Sequence, residues 1–152
     1  MLMDDRLEFA DATALPTATG TNIIGDVVDV FSPGTQRQGI ADGTEDLFLH
    51  LQAASAATSG GAATLEFQFV TADDAALTTN VQVLWSSGAG AGFAAALPAG
   101  QVYDIALPRT LFRKFIGVRE VVGTAVLTGG AIDAFITVDP PVRRYYSAPS
   151  QA

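Results

Sequence analysis

The side chains that could carry acid–base or nucleophilic chemistry are few in this chain of 152 residues. His50 is the only histidine and cysteine is absent, so a catalytic triad or a histidine-based metal cluster would have to use that one ring. The nucleophile motif G-x-S-x-G does not occur in the sequence. His50 also falls within a strand-like segment, on its solvent-facing parity, which favours a surface histidine over a catalytic base.

Adjacent carboxylates occur three times, at Asp4-Asp5, Glu45-Asp46 and Asp73-Asp74. A glycosidase holds its two carboxyl groups about 5 to 9 Å apart, on separate elements across a cleft. Adjacent acids in connecting segments instead form turns or keep the chain soluble. The acidic run of residues 42–46 lacks the ligand spacing and the closing glutamate of an EF-hand loop. The sequence therefore predicts no enzyme activity, no metal site and no cofactor.

The C-terminal run Arg143-Arg144-Tyr145-Tyr146 is the cluster best suited to recognition. Arginine offers forked donors to carboxylates and tyrosine gives rigid amphipathic contact area, so both are enriched where proteins meet. A tail that lies free in solvent is the alternative interpretation. We expect residues 1–20, the Pro- and Gly-rich loop 32–45 and the tail 140–152 to contact a partner. The predicted partner-binding residues are Arg6, Arg37, Arg143, Arg144, Tyr145 and Tyr146.

Alternating apolar residues predict that β-strands form the body that carries these segments. DLFLHLQ and TLEFQFVT place Leu49, Leu51, Leu65, Phe67 and Phe69 on one parity and polar residues on the other. DVVDVF, NVQVLWS and QVYDIAL alternate similarly, and turn residues separate the segments. With the two arms of the segment Phe115–Asp139 and a possible strand around Leu7 to Phe9, seven or eight short strands are predicted. The predicted fold class is all-β: an antiparallel β-sandwich, jelly-roll-like, with extended N- and C-terminal arms.

Three details of the sheets are also predicted. The segment Phe115–Asp139 reads as a β-hairpin at the centre of a sheet, with apolar residues on both parities of its outgoing arm. Gly25 interrupts the first core strand and suggests a bulge. Trp85 shares the parity of Val81 and Val83, which favours a core position over a sugar-stacking surface.

The length and the net charge limit the possible domain organisation and the possible partners. The length fits one domain, divided into an N-terminal arm (1–20), a β-sandwich (21–139) and a C-terminal tail (140–152). Net charge is −8, and residues 1–74 contain 12 of the 16 acids. Nucleic acid is disfavoured because its binding depends on Lys and Arg that neutralise phosphates. A membrane is not expected either, since no run of about 18 apolar residues is present.

Six segments follow one another from about residue 3 to residue 139: MDDRLEFADA, GTNIIGDVVDV, TLEFQFVT, YDIALP, RKFIGVREVV and AFITVD. Their order and spacing resemble the jelly-roll capsid cement (decoration) proteins of tailed bacteriophages. The resemblance implies a non-enzymatic protein that bridges major capsid protein subunits on the outer surface of the head and stabilises the shell. It carries no binding motif over to individual residues.

Assembly and location follow from that resemblance as expectations. The protein would be made in the host cytoplasm and then reside in the virion, on the outer capsid surface. Capsids have twofold and threefold axes, so a homodimer or homotrimer is the expected form. The alternative function is a carbohydrate- or receptor-binding β-sandwich of a phage tail or fibre, which would need exposed aromatic side chains.

Overall fold

The computed structural model describes residues 7–31, 46–88, 97–109 and 112–137. No helix in these ranges has the length and hydrophobicity needed to cross a bilayer. The described residues form eight strands: β1 (Glu8–Ala14), β2 (Gly20–Asp29), β3 (Phe48–Ser59), β4 (Thr64–Ala72), β5 (Gln82–Ser86), β6 (Val102–Ala106), β7 (Phe115–Gly123) and β8 (Leu127–Thr137).

The strands form two four-stranded sheets, with the orders β1-β8-β3-β6 and β2-β7-β4-β5. Every pairing is antiparallel. Each sheet therefore draws strands from both halves of the chain, which is the arrangement of a double-sheet jelly roll. The predicted all-β sandwich is confirmed.

The core lies between the two sheets and contains the side chains that alternation assigned to it. The five predicted core residues of β3 and β4 all have 0% exposure: Leu49, Leu51, Leu65, Phe67 and Phe69. The Phe69 ring packs edge-to-face on Phe9 of β1, with centroids 5.8 Å apart, and on Phe112 at 6.4 Å. Because β1 and β4 belong to different sheets, these ring contacts join the two layers.

The predicted hairpin over Phe115–Asp139 is wrong in its pairing. β7 pairs with β2 and β4, whereas β8 pairs with β1 and β3, so the short connection between them crosses from one sheet to the other. Alternation reports which face of a strand is buried, and it carries no information on which neighbour accepts the backbone hydrogen bonds. β7 and β8 each occupy an interior position, but in opposite sheets.

The sandwich begins earlier in the chain than the predicted arm of residues 1–20 allows. β1 pairs with β8 and places Phe9 in the core at 1% exposure. Gly25 lies at the register shift in β2 between Ile24 and Val27, so the predicted bulge is confirmed. Its φ is +63°, and a Cβ there would lie 1.9 Å from the Phe9 carbonyl oxygen. Only glycine lets β2 pass so close beneath β1.

A second register shift, in the pairing of β4 with β5, changes the predicted face of Val83. Trp85 pairs with Phe69 and packs against the core, as predicted, whereas Val83 pairs with Val70 and is 45% exposed. Between these two pairs, β5 contains one residue more than β4, and this interrupts the alternation of faces. Val83 and Trp85 therefore lie in different environments.

Replacement of Gly25 by alanine should destabilise the fold, because the new Cβ overlaps the Phe9 carbonyl and the left-handed φ strains any L side chain. We expect the free energy of unfolding to fall by about 2 kcal/mol or more, measured by urea denaturation. Gly60→Ala is the control, since a Cβ at Gly60 meets nothing within 4 Å. Equal midpoints for the two variants would contradict the steric argument.

Candidate functional site

The six predicted partner-binding residues lie outside the described residues. They are Arg6, Arg37, Arg143, Arg144, Tyr145 and Tyr146. Their assignment to a partner surface stays a prediction. The described surface is therefore that of the sandwich itself.

His50 is buried, which differs from the predicted surface histidine. It faces outward from β3 but is only 7% exposed. Its Nδ1 lies 2.5 Å from Asp104 Oδ1 on the paired strand β6, and its ring stacks on Phe135 of β8 with centroids 4.8 Å apart. The three side chains link adjacent strands across the outer face of the sheet, so we assign His50 a structural role.

Metal and sugar sites find no support in the part of the chain that the structure describes. No group of three or more acidic, histidine or cysteine side chains converges there. Trp85 is half-buried, packs against the core and lies 5.9 Å from the Tyr103 ring, so it does not form an exposed stacking platform. Trp85 thus packs on the core, the side that its parity predicted, but it is only partly buried.

The outer face of the β2-β7-β4-β5 sheet carries a second, smaller apolar cluster. The connection between β4 and β5, residues 73–81, folds back over this face, and we call it the flap. Leu77 of the flap is 2% exposed and packs with Val70 and Ala72. It fills the hollow above Gly117, where a Cβ would lie 2.8 Å from Leu77 Cδ1. The flap therefore covers the sheet because β7 has no side chain at that point.

Two aspartates fix the shape of the flap. Asp74 Oδ1 accepts bonds from the backbone N–H of Thr79 at 2.7 Å and of Thr78 at 2.9 Å. Asp73 accepts bonds from Asn80 at 2.7 Å and Arg113 at 3.1 Å. The bond from Thr79 is the main cause that lowers the pKa of Asp74, and the bond from Asn80 is the main cause for Asp73. The adjacent acids form a turn, as their sequence context predicted.

A row of polar side chains runs beside the flap, across three strands of the same sheet. Arg119 Nε donates to Gln68 Oε1 at 2.8 Å, and Gln68 Nε2 donates to Glu66 Oε1 at 2.7 Å. Ser86 Oγ donates to the same Glu66 oxygen at 2.6 Å. Burial lowers the pKa of Arg119, which the nearby Glu66 partly offsets. These contacts fix the position of the Arg119 guanidinium.

A cavity of about 280 Å³ lies between the flap and strands β2 and β7. Its walls include Thr21, Ile23, Leu77, Thr78 and Arg119. It therefore combines an apolar wall, two hydroxyl groups and one cation. Sequence reasoning missed this site because Leu77 and Arg119 are 42 positions apart and neither stands in a recognisable motif.

A larger cavity of about 390 Å³ lies beside the crossing of β1 and β2. Its charged lining residues are Glu8, Asp11 and Asp26. It is therefore acidic, in contrast to the cavity beneath the flap, which contains the Arg119 cation.

The sequence profile of the Bbp16 family matches residues 9–136. The chain belongs to the Bbp16 family. This is a bacteriophage-related family, so the resemblance to phage proteins is confirmed at that level. The matched range begins at the second residue of β1 and ends one residue before the end of β8, so it covers part or all of each of the eight strands. No curated protein matches the chain.

Glu120 is an acid enclosed in the sandwich of this Bbp16-family protein. It lies on the inward parity of β7, paired with Phe67, and has 0% exposure. Its Oε1 is 3.5 Å from Asn22 Nδ2, and its Oε2 has no hydrogen-bond partner within the described ranges. Burial raises the pKa of Glu120 to about 8, against the smaller effect of Asn22. The folded protein therefore holds this carboxyl in its neutral form at pH 7.

Glu120 should make the protein less stable as pH rises. The unfolded chain releases this proton near pH 4.5 and the folded chain near pH 8, so stability is fully present below about 4.5 and is lost progressively up to about 8. Within that window, the difference of one bound proton lowers the free energy of unfolding by about 1.4 kcal/mol per pH unit. Chemical denaturation at half-unit steps of pH measures the slope.

Glu120→Gln and Glu120→Leu are the test variants. Both remove the titrating group. Between pH 4.5 and 8, the slope of the free energy of unfolding against pH should therefore be about 1.4 kcal/mol per pH unit less steep than in the wild type. The comparison uses slopes because an amide or an isobutyl group changes packing equally at every pH. A wild-type slope in both variants would show that another group titrates in this window.

Proposed function

We propose that this Bbp16-family protein is a non-enzymatic capsid cement, or decoration, protein. It binds the outer surface of a phage head, bridges subunits of the major capsid protein and stabilises the shell. The observation that carries the proposal is the family match over residues 9–136, which ties the whole sandwich to a bacteriophage-related family. The jelly-roll resemblance of the sequence supplies the more specific role.

The architecture suits a protein that works by contact. A sandwich with an extensive apolar core keeps its shape without metal or disulfide, and the chain contains no cysteine. The flap gives the outer surface of one sheet a defined shape. On the other sheet, the packed pair of His50 and Phe135 does the same. Rigid surfaces of this kind lose little conformational entropy when they bind.

Repetition on an icosahedral shell increases the effect of each contact. A homodimer or homotrimer that binds through one subunit holds its other subunits at high effective concentration near the next capsid site. Each bridge then opposes separation of neighbouring capsid subunits. We place the major capsid contacts in residues 1–20, 32–45 and 140–152 as well as on the sandwich. A carbohydrate-binding role has less support, because Trp85 packs against the core.

Binding to heads tests the proposal directly. Heads assembled without this protein are mixed with the purified full-length chain, and occupancy is measured by co-sedimentation and electron cryomicroscopy. We expect saturable binding at regular positions on the outer surface. We also expect decorated heads to release DNA at a higher temperature than bare heads. Heads that remain undecorated at micromolar protein would contradict the function.

Deletion of residues 140–152 tests the predicted contribution of the tail in the same assay. The segment carries Arg143 and Arg144 and no acid, so its loss should reduce occupancy through lost ion pairs and tyrosine contacts. A second variant replaces Arg143, Arg144, Tyr145 and Tyr146 by alanine and keeps the tail length. Occupancy equal to wild type in both variants would remove the tail residues from the binding surface.

A further inference from the structure

We infer that the cavity beneath the flap is a carboxylate-binding subsite, in which Arg119 pairs with an Asp or Glu side chain of the major capsid protein. This inference rests on the proposed function, because it names a chemical contact within the capsid interface. It adds a site on the sandwich to the terminal segments considered above.

Arg119 differs from the other described cations in its pairing. The described ranges contain four cationic side chains apart from His50: Arg109, Arg113, Lys114 and Arg119. The first three have carboxylate partners, Asp46 at 2.7 Å, Asp73 at 3.1 Å and Asp29 at 3.9 Å. Arg119, within these ranges, bonds only to the neutral Gln68 and to the Leu77 carbonyl at 3.5 Å.

Burial also distinguishes Arg119. The side chains of Arg109 and Lys114 are more than half exposed, whereas Arg119 is a half-buried residue beside the flap. Glu66 acts on Arg119 only from beyond Gln68, with no direct salt bridge between them. A cation that is partly removed from water in this way gains more from a direct ion pair than an exposed one does. Gln68 and Leu77 use only two of the five guanidinium N–H donors. The others are available for a forked contact with a carboxylate.

The shape and lining of the cavity suit an acidic side chain. Its volume of about 280 Å³ lies just below the usual range of roughly 300 to 1,000 Å³ for pockets that hold drug-sized ligands. It therefore has room for one side chain of a partner. Ile23 and Leu77 can cover the methylene groups of an acidic side chain, and Thr21 offers a hydroxyl donor beside Arg119. The Thr78 hydroxyl already donates to Asp74 Oδ2 at 2.7 Å, so it lines the cavity without being a donor to the carboxylate.

The net charge of the chain indicates a local contact. At −8, the protein has no general attraction for an acidic surface, so recognition of a carboxylate on the sandwich depends on an individual cation such as the half-buried Arg119. A partly desolvated pair is also screened less by salt than an exposed one. The subsite would then set the orientation of the protein on the shell, since a forked pair tolerates few geometries.

Arg119→Gln in the full-length protein tests the subsite by equilibrium co-sedimentation with heads. We expect affinity to fall about 10- to 100-fold, because an interfacial carboxylate would lose its partner. Arg119→Lys keeps the charge but not the fork, so its affinity should fall between those of wild type and Arg119→Gln. The matched control is Arg109→Gln, which removes an exposed arginine and should change affinity less than twofold.

A steric variant keeps the test valid if Arg119 variants unfold. Ala76 is an exposed flap residue that lines the cavity, so Ala76→Trp should block entry without removing any bond of Arg119. We expect the same loss of affinity as for Arg119→Gln, with the melting temperature close to wild type. Wild-type affinity in Arg119→Gln and Ala76→Trp would overturn the subsite and leave the cement function standing. Failure of the wild-type protein to bind heads would overturn both.

Discussion

Burial of two apolar sheet faces against each other is the constraint on which the rest of this structure depends. Phe69 contacts Phe9 of the opposite sheet and Phe112, and burial of each such ring contributes roughly 1.5 to 3 kcal/mol. Because each sheet contains strands from both halves of the chain, the chain crosses repeatedly from one sheet to the other. The crossing of β1 over β2 brings backbones so close that only a glycine fits at position 25. Core packing thereby determines the position of the bulge.

The flap repeats the same principle on the outside of one sheet. Gly117 leaves a hollow on β7, and the apolar side chain of Leu77 fills it from a connection held by Asp73 and Asp74. This packing encloses one wall of a cavity and shields the neighbouring Arg119. An apolar contact of this kind gives the surface of the sheet a defined shape.

Adjacent residues of β7 show how a strand separates opposite charges. Arg119 and Glu120 are neighbours in the chain, yet successive side chains of a strand point to opposite faces, so they do not neutralise each other. Glu120 enters the core and stays protonated, whereas Arg119 faces the flap and keeps its charge. One strand thus carries a group that responds to pH and a cation suited to a carboxylate. The two properties arise independently because the sheet lies between them.

The sequence by itself determined the all-β class, the inward residues Leu49, Leu65 and Phe69, and the bulge at Gly25, because these depend on local alternation and on backbone freedom. The match to a phage-related family agrees with the resemblance to phage proteins that the order of the sequence segments indicated. Only the tertiary structure decided that β7 and β8 belong to different sheets, that Leu77 covers Gly117 and that Arg119 forms no direct salt bridge with a carboxylate among the described residues. Strand pairing and ion pairing join residues distant in the chain, and neither leaves a periodic signal in it.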